Sequence, residues 1–240
     1  MKLFFTIAYP QIVVGLVILG SMAYALVAQG MPTLYPFIQQ ELSINRGGLG
    51  LITAGFIVGG SVTLLISGWL ADTMGVRRIL PAVMFGMAIG IVLFSQIHSL
   101  MQAVLLALFI SALGSATGPP SVKAIMDWVA PKSRGLYMGI KETSVPISGL
   151  IAATLFPFLA IFYNWRTTVI LLGIFVGVIS IVVLALYKDK PVQSLDRTKR
   201  SLTNSLVMLC SNRNIWIIGL STSTLLALHF VFVSYLILFL

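Results

Sequence analysis

Lys141 and Glu142 stand side by side within an otherwise apolar run extending from about Gly135 to Ile161. Ionisable side chains at such depth are costly to bury unpaired, so they point to a function. A lysine there can attract an anionic substrate, and a glutamate can take up a coupling proton or neutralise a cation. On a helix the two residues point about 100° apart, so they need not pair with each other. Glu142 shares a face with Gly135, Gly139, Pro146 and Gly149, which predicts a packed interface. Lys141 shares a semi-polar face with Ser144, Val145 and Ser148. A second reading stands beside this one: both side chains lie close enough to the helix start to reach the membrane rim as anchors.

Other candidates are more scattered. His229 lies midway along an apolar stretch that starts near Ile215. An intramembrane imidazole can titrate near neutral pH; the plainer reading is a hydrogen-bonded packing residue. Tyr24 and Ser21 in the first apolar run can line a central cavity. Lys123, beyond Pro119 and Pro120, reads as an anchor rather than a substrate ligand. Tyr163, Trp165 and Arg166 form a short turn of the kind found at a membrane interface. No cofactor and no metal site is expected: Cys210 is the single cysteine, and His98 and His229 are far apart. The absence of H-E-x-x-H and G-x-S-x-G patterns argues against an enzyme, and the absence of a G-x-x-x-x-G-K-(S/T) loop argues against ATP as energy source.

The elements that position these residues are membrane helices. Of the 240 residues 58% are hydrophobic and 9% charged, against about 25% charged in a soluble domain. A chain of this length cannot hide that much apolar surface in a soluble core, so it is an integral, multi-pass membrane protein. The net charge of +9 lies in short gaps between apolar runs, which is the distribution of an orientation signal and not of a nucleic-acid footprint. Six spans are expected: about Ile7 to Ala28, Leu49 to Leu70, Ile79 to Ile97, from Met101 through Pro119-Pro120, Gly135 to Ile161, and Thr168 to Tyr187. Lys2 and Ala23-Tyr24-Ala25 would also suit a signal peptide, but the length of the run favours an uncleaved helix. The expected organisation is a six-helix bundle over 1–187, a basic linker over 188–214, and a seventh transmembrane helix over 215–240. Lys2, Arg77, Arg78, Lys123, Lys132, Arg134 and the linker bases fall on one side, Arg46 and Arg166 on the other. By the positive-inside rule the N-terminus and linker are cytoplasmic, in a plasma (inner) membrane. Five G-x-x-x-G pairs, one in each of spans two to six, predict close helix packing.

Between the second and third spans lies Gly68-Trp-Leu-Ala-Asp-Thr-Met-Gly-Val-Arg-Arg78. Gly75 suits a tight turn, Asp72 can accept from a helix start or a facing cation, and Arg77 and Arg78 suit an anionic surface. The segment resembles the pattern G-x-x-x-D-(R/K)-x-G-x-(R/K)-(R/K) of the major facilitator superfamily. Gly68, Asp72, Gly75, Arg77 and Arg78 match, and Thr73 departs from the usual cation. Trp128, Pro131, Arg134-Gly135, Gly139, Pro146 and Gly149 also resemble the region between the fourth and fifth helices of many members. Val145-Pro146 stands where the antiporter signature has Gly-Pro, so antiport is not inferred. The resemblance implies an all-α fold of two inverted three-helix repeats, with the seventh helix opening a second half whose remainder is expected as a missing partner. It implies a cytoplasmic gate at the motif, and secondary active transport of a small-molecule substrate by alternating access. Lys141, the cation well inside a span, leans the substrate toward an organic anion, and Glu142 or His229 can carry proton coupling. The alternative is a truncated or non-transporting membrane protein, a sensor or relic. The expected partners are otherwise the lipid bilayer and the substrate, without nucleic acid.

Overall fold

The structure, a computed structural model, describes residues 2–190 and 211–225. The chain divides into two units, Met1–Pro191 and Val192–Leu240. The first contains α1 (Lys2–Thr33), α2 (Tyr35–Leu42), α3 (Arg46–Met74), α4 (Val76–Phe94), α5 (Leu100–Ser115), α6 (Gly118–Trp128), a 3-10 turn (Pro131–Ser133), α7 (Arg134–Glu142), α8 (Ser144–Phe162) and α9 (Trp165–Leu186). In the second, residues 213–225 are helical. The remainder of the expected seventh span, with His229, lies outside the described residues.

Helix ends follow local chemistry. Asn45 caps α3, its Oδ1 accepting from the Gly48 N–H at 2.8 Å, and Asn164 caps α9, accepting from Thr167 N–H at 2.8 Å. Ser99 does the same for α5. Prolines set the breaks within spans. Pro119, Pro120 and Pro146 sit in the first turns of α6 and α8. Lacking an N–H, they leave the carbonyls of Ser115, Ala116 and Glu142 without their helical partner, and α5 and α7 end at those positions. Between spans one and two stands the short helix α2, with Pro36 in its first turn. The motif loop is also shorter than the pattern suggests. Asp72 and Thr73 belong to the last turn of α3, Arg77 and Arg78 to the first of α4, and Gly75 alone joins them at φ 88°. Glycine adopts that conformation without strain.

Five helical runs are long and apolar enough to cross a membrane: Tyr9–Thr33, Val76–Phe94, Leu100–Trp128, Pro131–Phe162 and Trp165–Leu186; α3 makes a sixth if its bent halves count as one. The protein is therefore an all-α, multi-pass membrane protein. The most extensive packing joins α3 to α5, α4 to α9 and α1 to α8. In span numbers these pairs are 2 with 4, 3 with 6 and 1 with 5. Exchanging spans 1, 2, 3 for 4, 5, 6 turns the first pair into the third and leaves the second unchanged. Successive spans alternate in direction, so the two triplets run oppositely: this is the contact pattern of inverted repeats. Small residues permit it. Gly59 lies against the backbone of Leu108, and Gly55 lies against that of Val104. Gly135 and Gly139 break the expectation: nothing among the described residues comes within 4 Å of a Cβ at either one.

Candidate transport cavity and helix-end clasps

A cavity of about 400 Å³ lies between α1, α3 and α5 and reaches α2. Six hydroxyl side chains line it: Tyr24, Tyr35, Thr53, Ser61, Ser111 and Ser115. Tyr24 is where the sequence places it, with its OH 2.9 Å from Ser115 Oγ; Ser21 is not in the lining. Tyr35 OH lies 3.1 Å from Thr53 Oγ1. Ser111 donates across the helix pair to the carbonyl of Phe56. The lining residues that sequence reading missed carry a helical signal. Ser111 and Ser115 are four apart, and Thr53, Gly60, Ser61 and Leu64 recur on one face of α3. Among the described residues, no ammonium, guanidinium, imidazole or carboxylate lines this space.

Lys141 and Glu142 are outside the lining and are paired, with Lys141 Nζ 2.7 Å from Glu142 Oε1. Helix geometry left the pairing of these two residues open. They end α7, where Pro146 interrupts the hydrogen-bond ladder, and the long lysine side chain spans the angle between them. The lysine side chain is 11% exposed and the glutamate 66%. Glu142, with Gly135, Gly139 and Pro146, therefore occupies an open face rather than the predicted packed one. On the Lys141 face, Ser144 and Ser148 are buried and Val145 is exposed, and Ser148 Oγ donates to the carbonyl of Met22 on α1.

At the motif end of the bundle, Asp72 meets Lys123 of α6 at 2.8 Å. Lys123 is thus an ion-pair partner rather than a free anchor, and the motif acid finds a cation within its own bundle. Thr73, which departs from the usual cation, turns its hydroxyl back to the carbonyl of Trp69 at 3.0 Å. Gly68 lies 3.6 Å, measured from an added Cβ, from Pro119. Arg77 and Arg78 have exposed side chains. The start of the linker is held to the same end. Asp189 accepts from the Arg77 backbone N–H at 3.1 Å, next to Gly75, and Lys190 Nζ donates to the carbonyl of Asp127 at 2.8 Å. Tyr9 OH donates to Leu186 O and accepts from Lys188 N–H at 2.6 Å. Because the Asp72 side chain is exposed and that of Lys123 is one-third exposed, loss of the pair alone is expected to change stability by about 1 kcal/mol or less. Asp72→Lys alone should lower the unfolding temperature slightly, and adding Lys123→Asp should restore part of the loss. An unfolding temperature that stays low in the double variant would show that the pair itself is not the stabilising element.

The opposite end carries a denser cluster. Trp165 Nε1 donates to Glu41 Oε2 at 2.5 Å, and Arg166 Nε donates to Glu41 Oε1 at 2.9 Å. Arg166 also donates to the carbonyls of Ser95 and Ile97 at the end of α4, the latter at 2.9 Å. Its guanidinium stacks over the Trp165 ring at 4.6 Å. Trp165 is only 3% exposed, so it is a clamp residue and not the interfacial belt residue expected; Tyr163, at 65%, is the exposed member. Among the described residues no group of His, Cys, Asp and Glu is placed to hold a metal.

Comparison with known proteins agrees with this architecture. The Major Facilitator Superfamily matches residues 17–240. The chain is 25% identical to the hexuronate transporter of Bacillus subtilis (strain 168) over 164 residues, 67% of this chain and 38% of that protein. It is 23% identical to a probable sulfoacetate transporter of Cupriavidus necator over 58% of this chain and 32% of the relative. It is 25% identical to the glycerol-3-phosphate transporter of Bacillus subtilis (strain 168) over 75% of this chain and 41% of the relative. The matched region thus spans about two fifths or less of each of these relatives. With the motif at the α3–α4 joint, the paired inverted triplets and a family match over nearly its whole length, the chain belongs to the Major Facilitator Superfamily.

Proposed function

We propose that this protein is a secondary active transporter of a small organic solute, with the bundle forming one wall of an alternating-access path. The observation that carries the reading is the hydroxyl-lined cavity between α1, α3 and α5, since transporters of this architecture bind substrate at the repeat interface near the membrane midplane. The opposite wall is assigned to a second helical half, in keeping with the greater length of the relatives. The basic linker over 188–214 would join the halves, with 215–240 as the seventh helix. On the positive-inside rule the N-terminus, motif and linker face the cytoplasm of a plasma (inner) membrane. Gly68, Asp72, Gly75, Arg77 and Arg78 are assigned to the cytoplasmic gate.

The lean toward an organic anion has two supports. The relatives are named for hexuronate, sulfoacetate and glycerol 3-phosphate, all of them small organic anions. Lys141 is the cation set well inside a span, and its partner Glu142 is exposed. A proton on Glu142 would break the 2.7 Å pair and free the ammonium for an anion, which couples proton and substrate; His229 is a second candidate for the coupling role. Initial uptake of the three anions into proteoliposomes, with and without an inward proton gradient, tests this. Acceleration of one of them by the gradient and a loss of about tenfold or more in Lys141→Ala are expected. Unchanged uptake of every anion in that variant would remove Lys141 from the mechanism.

A further inference from the structure

We infer that the cavity recognises the hydroxyl-bearing, uncharged portion of its substrate, because the polar groups set in its otherwise apolar lining are almost entirely hydrogen-bond acceptors. The inference rests on the transport reading above and names the substrate chemistry of the same site. Thr53 Oγ1 donates to the carbonyl of Leu49 at 3.0 Å and Ser61 Oγ to that of Ile57 at 3.0 Å. Ser111 Oγ donates to the carbonyl of Phe56. With the Thr53 proton committed, the 3.1 Å contact to Tyr35 has Tyr35 as donor. Tyr24 and Ser115 share one proton across 2.9 Å. A hydroxyl carries one proton and two lone pairs. Of the six lining hydroxyls, the Tyr24–Ser115 pair alone keeps one proton to give, whereas every oxygen keeps a lone pair to receive with.

Backbone chemistry points the same way. Ala28 and Pro32 both line the cavity, and so does Ser115. Pro32 has no N–H for the carbonyl of Ala28, and Pro119 has none for that of Ser115, so two lining residues carry carbonyls without their helical donor. An acceptor surface cannot solvate a carboxylate or phosphate, which requires donors. It would attract a cation, but among the described residues no carboxylate lines the space to neutralise one. A neutral O–H donor suits both conditions. The volume, about 400 Å³, falls in the range of small-molecule sites. A hydroxylated anion would place its O–H groups here and its charge outside this lining.

Matched ligands separate the terms. Galactarate and adipate are six-carbon dicarboxylates with and without hydroxyls, and sorbitol is the uncharged hexitol. The unfolding temperature of the purified full-length protein would be measured with each at about 10 mM. Galactarate and sorbitol should raise it by roughly 2–5 °C and adipate should not. Ser61→Ala removes an acceptor whose own bond is within its helix, so no contact between helices is lost, and Thr53→Val removes a second. Each should weaken sorbitol binding about fivefold. An equal shift with adipate and galactarate, no shift with sorbitol, or wild-type sorbitol affinity in both variants overturns the inference. The expected binding pattern without uptake of any ligand into proteoliposomes would instead sustain the acceptor site and remove the transport reading.

Discussion

Alanine at Gly59 is expected to prevent the bundle from assembling in its present form, at a cost on the order of 3 kcal/mol. An added Cβ would stand 2.9 Å from both the Cα and the carbonyl carbon of Leu108, and closer still to its oxygen. A side chain can rotate away from such a contact; backbone cannot. Relief therefore requires α3 and α5, the most extensively packed pair, to separate along their length. Membrane helices associate through close contact rather than through expulsion of water, so a small separation forfeits much of the attraction. Gly139→Ala is the control. Nothing described lies within 4 Å of its Cβ, and the substitution should hold or raise stability by about 0.5–1 kcal/mol through helix propensity. Monodisperse yield and thermal unfolding in detergent distinguish the two. Equal behaviour of the variants would contradict the packing described for α3 and α5.

Loss of Arg166 is expected to cost about 2–3 kcal/mol. The guanidinium holds Glu41 and the carbonyls of Ser95 and Ile97 together, so it ties α2, the end of α4 and the start of α9 into one cluster. In Arg166→Ala the carboxylate loses its charged partner and two carbonyls lose donors. Arg166→Lys should recover less than half of the loss, because an ammonium cannot reproduce the planar fork. The cluster also has a pH signature. Burial pushes the Glu41 carboxyl up, but the hydrogen bonds from Arg166 and Trp165 outweigh it and hold the group below its ordinary value. A folded-state value below the unfolded one gives stability that is present above the unfolded value and is lost as pH falls through the folded value. Unfolding temperature against pH should show that acid limb in the wild type and a weaker one in Glu41→Gln. Identical limbs would separate Glu41 from the acid response.

Part of the candidate machinery was legible in sequence, and the exceptions share a pattern. Tyr24 reached the cavity as expected, and the Gly68–Arg78 motif sits at the joint of the second and third spans. The remaining cavity hydroxyls were passed over because each is unremarkable on its own helix. The Gly55/Gly59 and Gly135/Gly139 pairs have the same spacing, yet one is packed on backbone and the other faces open space. An ideal helix points Lys141 and Glu142 about 100° apart and leaves their pairing open; the fold pairs them at the end of α7.

The membrane class, the six spans of the bundle, the proline breaks and the family motif were determined by the sequence itself. They depend on composition and on interactions within a few residues, such as a run of apolar side chains, a missing N–H or a residue tolerant of positive φ. The tertiary structure alone decided the partners: Asp72 with Lys123 across 51 residues, Asp189 with Arg77 across 112, and Glu41 with Arg166 across 125. Those pairings, and the direction in which the cavity hydroxyls commit their protons, depend on the rotation and register of packed helices. That geometry comes from the sum of many weak contacts, and no local pattern encodes it.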